Sequence, residues 1–408
     1  MKLHIFFYTC LCCLLLTLAI PSVGFAKEYF TNTAAIKIGV MTIGPGEMFY
    51  ERFGHNAIVV VDQLHGNAIS YNFGYFDPDE PGFLMRFLRG HMRYSLAALP
   101  LIEDLEQYGQ EGRSVVIQWL HLTPQQAEFI AQRLAVQQRP ENAKYPYNYF
   151  TSNCTTKVRD LLNTALQGSL QQQFSQQNSK KTYRMQVMAD ADSVIWMAIL
   201  IDLGLGKGAD QPLSEWQNAF LPSELAHMLA SVRTPSGAML VEHTQQVFSQ
   251  RFLPATLHIQ RLVWYCSALS LCLVLCFVWF AHRGQFPRLF IVLLQLFWLL
   301  SGLIGVVLTG LWTCTDHTIT WNNANLLLFP PFCLMLLWSI PNFWKVLPPK
   351  KWICVWCQIT VFCSFSALIL YIVSAHPQKN ISWVGLVVPV HCAIAYAIKR
   401  IGKDKYIF

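Results

Sequence analysis

Tyr145-Pro-Tyr-Asn-Tyr-Phe-Thr-Ser-Asn-Cys-Thr-Thr-Lys-Val-Arg-Asp160 reads as a loop that runs into a helix. Ser152 or Asn153 can cap that helix, because either side chain accepts a hydrogen bond from the first free backbone N–H groups. Val158, Leu161, Leu162, Ala165 and Leu166 recur at helical spacing, and Gly168 closes the run. Cys154 therefore falls in the first turn, where free N–H groups and the helix dipole favour a thiolate. The competing reading of this stretch alone is a small cysteine packed beneath a helix start.

The rest of the chain bears on that choice. Its 408 residues are 53% hydrophobic and 13% charged, too apolar for a soluble enzyme of this length and too polar for membrane spans alone. Residues 1–26 combine Lys2, an apolar run over 5–20 and a Gly-Phe-Ala ending. This is the pattern of a secretory signal peptide, with an uncut signal anchor as the alternative. On either reading the segment that follows residue 26 is exported. Residues 27–255 read as one α+β domain with strands over 35–43, 56–61, 68–73 and 114–122. A helix runs from Thr123-Pro124-Gln125-Gln126, a capping-box start, to about Gln138.

Residues 256–408 change character. Apolar segments over 262–281, 289–311, 326–344, 353–375 and 383–398 are each near the length needed to cross a bilayer. The third contains Pro330, Pro331 and Pro341 and is expected to be kinked or broken. Basic residues at His282–Arg288, Lys345–Lys351 and Lys399–Lys405 mark cytoplasmic segments by the positive-inside rule. An exported N-terminal domain and a cytoplasmic C-terminus need an odd number of spans, and five fits. The net charge of +7 is spread between hydrophobic segments, not pooled in a patch, so nucleic acid is not expected as a partner.

Twelve of the thirteen cysteines lie in or beside apolar segments, where cysteine is mostly a packing residue. Between Lys27 and Gln260 only Cys154 remains. Exported cysteines usually pair into disulfides, and this one has no partner in its domain. No CxxC or Cys/His zinc pattern surrounds it, so neither a metal nor a cofactor is expected. A nucleophile is the better reading, and a thiol nucleophile needs a base. The domain offers His55, His65, His91, His121, His227 and His243. His55 stands at a strand start behind Gly54, which leaves room for close approach.

A strand-start histidine followed about a hundred residues later by a helix-start cysteine resembles the circularly permuted papain-like fold. Lecithin:retinol acyltransferase-like enzymes share that order and an Asn-Cys pair, here Asn153-Cys154. Gly54-His55-Asn-Ala-Ile58, Tyr71-Asn72-Phe-Gly74-Tyr-Phe76-Asp77, Phe87-Leu-Arg-Gly90 and Tyr147 to Asp160 are similar to a closer family. They resemble the exported N-terminal domain of Lnb-type bacterial lipoprotein N-acyltransferases. Asp316 to Leu328, followed by Pro330, resembles that family's membrane part. Lys157 stands where the family more often has Arg.

The resemblance implies a permuted papain-like α+β domain, followed by an all-α transmembrane domain of about five helices. It places the catalytic domain in the periplasm of a bacterial inner-membrane protein. It also implies two-step acyl transfer. Cys154, with His55 as base, would take an acyl chain from a phospholipid and pass it from the thioester to the amine of a diacylglyceryl-cysteine lipoprotein. Asn72, or less directly Tyr71, would orient His55. Asn153, Tyr71, His317 and Asn325 are candidate substrate contacts, and Arg52, Arg89 and Arg93 are candidate phosphate ligands. Two rival functions fit the same residues. One is a membrane-tethered cysteine hydrolase, either a cell-wall amidopeptidase or a lipase. The other is a non-enzymatic envelope assembly protein in which Cys154 is structural.

Overall fold

A computed structural model of the chain describes residues 36–234, 236–251, 261–283, 288–339 and 349–404, the last four by backbone alone. The expected signal segment, the domain boundary near 255 and most of two expected cytoplasmic loops lie outside these residues. Seven strands form one antiparallel sheet. They are β1 (Ile36–Ile43), β2 (His55–Asp62), β3 (Asn67–Tyr75), β4 (Arg93–Pro100), β5 (Val115–Leu120), β6 (Lys144–Pro146) and β7 (Val241–Phe248), in the order β6-β4-β3-β2-β1-β5-β7. β2 sits at the centre, and its continuous apolar run Ala57–Val60 is buried on both faces of the sheet.

The helices that matter for the site cover the two faces. α1 (Phe83–Arg89) follows β3, and α2 (Leu101–Gln110) follows β4. α3 (Pro124–Gln137) begins with the expected Thr123/Gln126 capping box. α4 (Cys154–Ala165), α5 (Ile195–Gly204) and α6 (Pro222–Ser231) complete this set. α3, α4 and α6 bury Ile130, Leu134, Val158, Leu162, Leu225 and Leu229 against one face of the sheet. Tyr108 of α2 packs with Met41, Ala57 and Ile117 on the other. The α+β architecture is as expected. The sequence reading assigns nothing to residues 93–110 or 241–248. β7 is polar and mostly exposed, so its pairing with β5, not its own pattern, makes it a strand.

In the membrane part, α7 (Leu262–Arg283), α8 (Arg288–Thr313), α11 (Lys351–Val373) and α12 (Ile381–Asp404) are long and apolar enough to cross a bilayer. The third expected span is not one helix. Among the described residues it is a turn of helix, α9 (Asn325–Leu328), then Phe329-Pro-Pro-Phe332, then a second turn, α10 (Cys333–Leu336). Pro330 and Pro331 lack the N–H groups that would carry the helical ladder through. Four continuous membrane-length helices and one broken segment therefore stand where five spans are expected.

The two parts are bolted together by hydrogen bonds. α5 ends with orphan carbonyls, as every helix does. Asn323 and Asn325 of the membrane part donate their amides to Leu203 O at 2.7 and 3.0 Å, and Asn323 also reaches Gly204 O at 3.0 Å. The Asn325 carbonyl accepts from Asn380 at 2.8 Å. Trp383, in the first turn of α12, donates its indole N–H to Asp202 at 2.8 Å. Arg184 holds Asp202 from the other side, also at 2.8 Å. At the end of α1 the loop after α8 arrives. Asp316 N–H donates to Arg89 O at 2.8 Å, and the His317 ring donates to Phe87 O at 3.0 Å. Gly90 has φ +81°, and a Cβ there would stand 3.0 Å from the Asp316 backbone. Only glycine admits so close a passage in that conformation.

Asn325→Leu should therefore destabilise this junction. The substitution leaves a bond to Leu203 O unmade and strands the buried Asn380 amide, a loss of about 1–3 kcal/mol. Thermal unfolding of the full chain in detergent should show a lower midpoint, and an unchanged midpoint would remove Asn325 from the bolt.

Candidate active site

The Asn153 side chain accepts from Thr156 N–H at 2.8 Å and so caps α4, which puts Cys154 at the first helical residue. Of the two capping candidates, it is Asn153 and not Ser152 that fills the position. The Asn153 amide is spent on Tyr149 O at 2.8 Å and Phe220 O at 2.9 Å. Asn153 is buried, with both its oxygen and its nitrogen engaged inside the domain. Its work is to set the angle at which α4 meets the sheet.

α4 packs on β2 and β3, and its first turn meets the start of β2. His55 is the first residue of that strand. Gly54 before it has φ +71°, and a Cβ there would sit 2.7 Å from Ile43 O, so the tight entry into β2 requires glycine. The Cys154 thiol faces the His55 imidazole and the Asn56 backbone N–H, with the Thr155 hydroxyl 3.9 Å away. Burial alone would push the thiol up. The positive charge and hydrogen bond of His55, with the two smaller donors, outweigh it and bring the thiol down to about 7. His55 moves the other way. Burial lowers it, but the Cys154 thiolate and the bond to Asn72 leave it above its ordinary value, against a small opposing effect of Arg113. Each group holds the other in its charged form.

The far nitrogen of His55, Nε2, lies 3.0 Å from Asn72 Oδ1. The Asn72 amide in turn donates to Asp104 Oδ2 at 3.0 Å and to Ser70 Oγ at 3.3 Å. This order fixes the protons. A carboxylate only accepts, so the Asn72 nitrogen must face Asp104 and its oxygen must face His55. That oxygen also only accepts, so Nε2 carries a hydrogen. The other ring nitrogen, Nδ1, is left for the thiol. Asp104 is 3% exposed on α2, in a stretch the sequence reading leaves unassigned. The only signal available was an acid in the first turn of an amphipathic segment, which reads equally well as a favourable helix charge.

Tyr71 is corrected. Neighbouring residues on a strand point to opposite faces, so Tyr71 faces away from Asn72. It lies 1% exposed in the core with Ile58 and Val158, and burial pushes its hydroxyl up to about 12. His317 and Asn325 lie at the junction between the two parts. Both are ties between domain and membrane part, and Asn325 is fully buried. Arg89 and Arg93 remain exposed. Arg52 is different. Its Nε is buried and has no hydrogen-bond partner among the described residues, three positions before His55.

Beside the thiol stands a wall of rings the sequence reading does not foresee. The backbone at Gly74 lies between Cys154 and Tyr147. Tyr147 stacks on Tyr94 at 4.1 Å, and Tyr94 on Phe76 at 4.9 Å. Burial first, and the Cys154 charge second, push the Tyr147 hydroxyl well above its ordinary range, so it stays a neutral donor beside the thiolate.

Two family models match the chain. The family model described as the Lnb N-terminal periplasmic domain matches residues 28–189, and the one described as the Lnb transmembrane domain matches residues 263–401. This chain belongs to the Lnb family. Cys154, His55, Asn72 and Asp104 all fall inside the first match, and the broken segment inside the second. No curated protein and no solved structure matches the chain significantly. As an Lnb-type chain it is a membrane protein with a periplasmic N-terminal domain, and the signal expected over residues 1–26 accords with export. Membership points to lipoprotein biosynthesis at the level of theme.

The charge pair predicts a pH dependence for this Lnb-type thiol. The thiolate is the reactive form, so alkylation of Cys154 by iodoacetamide should rise with pH through a midpoint near 7. In His55→Ala the burial remains and the positive charge is gone, so the midpoint should move upward, past the ordinary thiol value of about 8.5. At pH 7 the variant should react at least about tenfold more slowly. Superimposable profiles for the two proteins would dissolve the pair.

Proposed function

We propose that this protein is a thiol acyltransferase that moves an acyl chain from a phospholipid to the N-terminal amine of a diacylglyceryl-cysteine lipoprotein. The observation that carries the reading is the Cys154 thiol paired with His55 on a domain fastened to the membrane helices. In the first step the thiolate attacks the ester carbonyl. The carbon–oxygen bond breaks, and the departing lysophospholipid oxygen takes the proton from His55. In the second step the neutral amine attacks the thioester carbonyl. The carbon–sulfur bond breaks, the thiolate returns, and His55 takes the amine proton. A thiolate suits both steps, as nucleophile in one and leaving group in the other.

The N–H groups of Cys154 and Thr155, at a helix start, are suited to the developing oxyanion. Asn72 positions His55, and Asp104 positions Asn72. Arg52 is suited to the donor phosphate by its unspent guanidinium nitrogen. With the broken segment taken as the third crossing, the C-terminus lies in the cytoplasm of a cell whose inner membrane carries the protein.

The test is mass spectrometry of lipoprotein N-termini from cells with and without the protein, alongside phospholipid turnover by the purified chain. The expected result is an N-acylated cysteine only when Cys154 is present. Release of free fatty acid with unmodified lipoprotein amines would replace the transferase by a lipase. Cleavage of cell-wall peptide with neither lipid product would replace it by an amidopeptidase.

A further inference from the structure

Several large apolar side chains of the periplasmic domain are exposed, and they gather at two places. One group is Phe49 and Tyr50, on the turn before β2, with Trp196 and Leu200 on α5. Phe49 meets Trp196 at 6.4 Å, so the turn and the helix form one lip. The other group is Leu84, Met85 and Leu88 on α1. Phe76 lies between them, 5.7 Å from Tyr50 on one side and 5.6 Å from Phe83 of α1 on the other. From Phe76 the rings continue through Tyr94 and Tyr147 to the Cys154 thiol.

Both lips are tied to the outer ends of the apolar spans. Leu203 of α5 is buried in one cluster with Cys266, Trp383 and Val387, side chains in the first two turns of α7 and α12. Val387 is six residues inside α12, about 9 Å along its axis at 1.5 Å per residue. α5 therefore sits among the outer ends of the spans, not above them. Trp196 and Leu200 are exposed on that same helix within two turns of Leu203, and tryptophan is favoured at the headgroup level. α1 is held to the same level by Asp316 and His317, which follow directly on the end of α8. An exposed apolar surface at that depth is covered by lipid, and water is the costlier neighbour.

We infer that the two lips dip into the outer leaflet, and that a phospholipid acyl chain enters between them and runs along Phe76, Tyr94 and Tyr147 to Cys154. Arg52 then lies beside the entrance for the donor phosphate. This rests on the proposed acyl donor, but the contact with lipid can be read without any chemistry. The full chain is placed in nanodiscs of phosphatidylethanolamine and phosphatidylglycerol, with benzoylphenylalanine substituted in turn for Phe49, Trp196, Leu88 and Leu64. Leu64 is the control, since it is exposed on the turn at the far end of β2. Photolysis should cross-link phospholipid at the first three positions, at least about tenfold above Leu64. Equal cross-linking at all four would overturn the inference, whatever the enzyme does.

In the same nanodiscs, Phe49→Asp and Trp196→Asp should slow acylation of Cys154 by bilayer lipid at least tenfold while leaving iodoacetamide alkylation unchanged. Acylation at the wild-type rate in both variants would remove the lips from the lipid path. If the lips cross-link to lipid but no variant or wild-type protein forms an acyl thioester, the membrane contact stands and the acyltransferase reading falls.

Discussion

Cys154→Ser and His55→Ala should each reduce acyl-enzyme formation from phospholipid by at least about 10³-fold, with folding and membrane insertion intact. The size of the effect comes from the pair. Cys154 is held near 7 by a positive imidazole whose other nitrogen is tied to Asn72. A serine hydroxyl in the same place is far above any proton affinity His55 can offer, so the anion does not form. An oxygen ester would also lack the leaving ability the second step needs. Stability should hardly change, because Ser is well tolerated at a helix start and Cys154 is only half-buried. Single-turnover transfer from a labelled phospholipid reads the first step directly. Turnover within a fewfold of wild type in either purified variant would rule out the dyad.

The second large effect is expected at Asp104. Asp104→Asn keeps the shape of the side chain but removes the obligatory acceptor. The Asn72 amide is then free to turn over and present its nitrogen to His55. Nε2 would have to become an acceptor, the proton would move to Nδ1, and the nitrogen facing the thiol would lose its capacity as a base. A tautomer error of this kind with the geometry otherwise intact should cost on the order of 10²-fold in kcat/KM. Because Asp104 touches no substrate, kcat/KM alone would not separate positioning from general disruption. The alkylation profile does, since the midpoint of Cys154 reactivity should rise in Asp104→Asn without loss of thermal stability. A profile unchanged from wild type would make Asp104 a packing residue of α2 and no part of the relay.

Much of the site was legible along the chain because its parts are local. Asn153 caps α4 and Cys154 comes next, and those positions are set by hydrogen bonds within four residues. Gly54 and His55 announce a tight entry to an apolar strand. Export and membrane insertion are legible from composition, since a run of apolar side chains long enough to span a bilayer needs no partner to be recognised. The prolines at 330 and 331 declared a break, and the break is there.

What the chain order could not reveal is which polar side chains face one another across the fold. Asp104 is 32 residues from Asn72, and only the pairing of β3 with β4, which delivers α2 to the back of the sheet, makes them neighbours. Tyr71 and Asn72 were both candidates to orient His55, yet the strand's two-residue period sends one to the core and the other to the imidazole. His317 and Asn325 were candidate substrate contacts, and only the fold reveals that their side chains bond to Phe87 O, Leu203 O and Asn380. The ring path from Trp196 to Cys154 joins residues from five separate segments of the chain. Sequence alone therefore determined the candidate thiol, its candidate base and the membrane setting, each written in contiguous residues. Tertiary structure alone decided the hydrogen-bond order behind His55 and which exposed apolar side chains stand together, because both depend on contacts between distant segments.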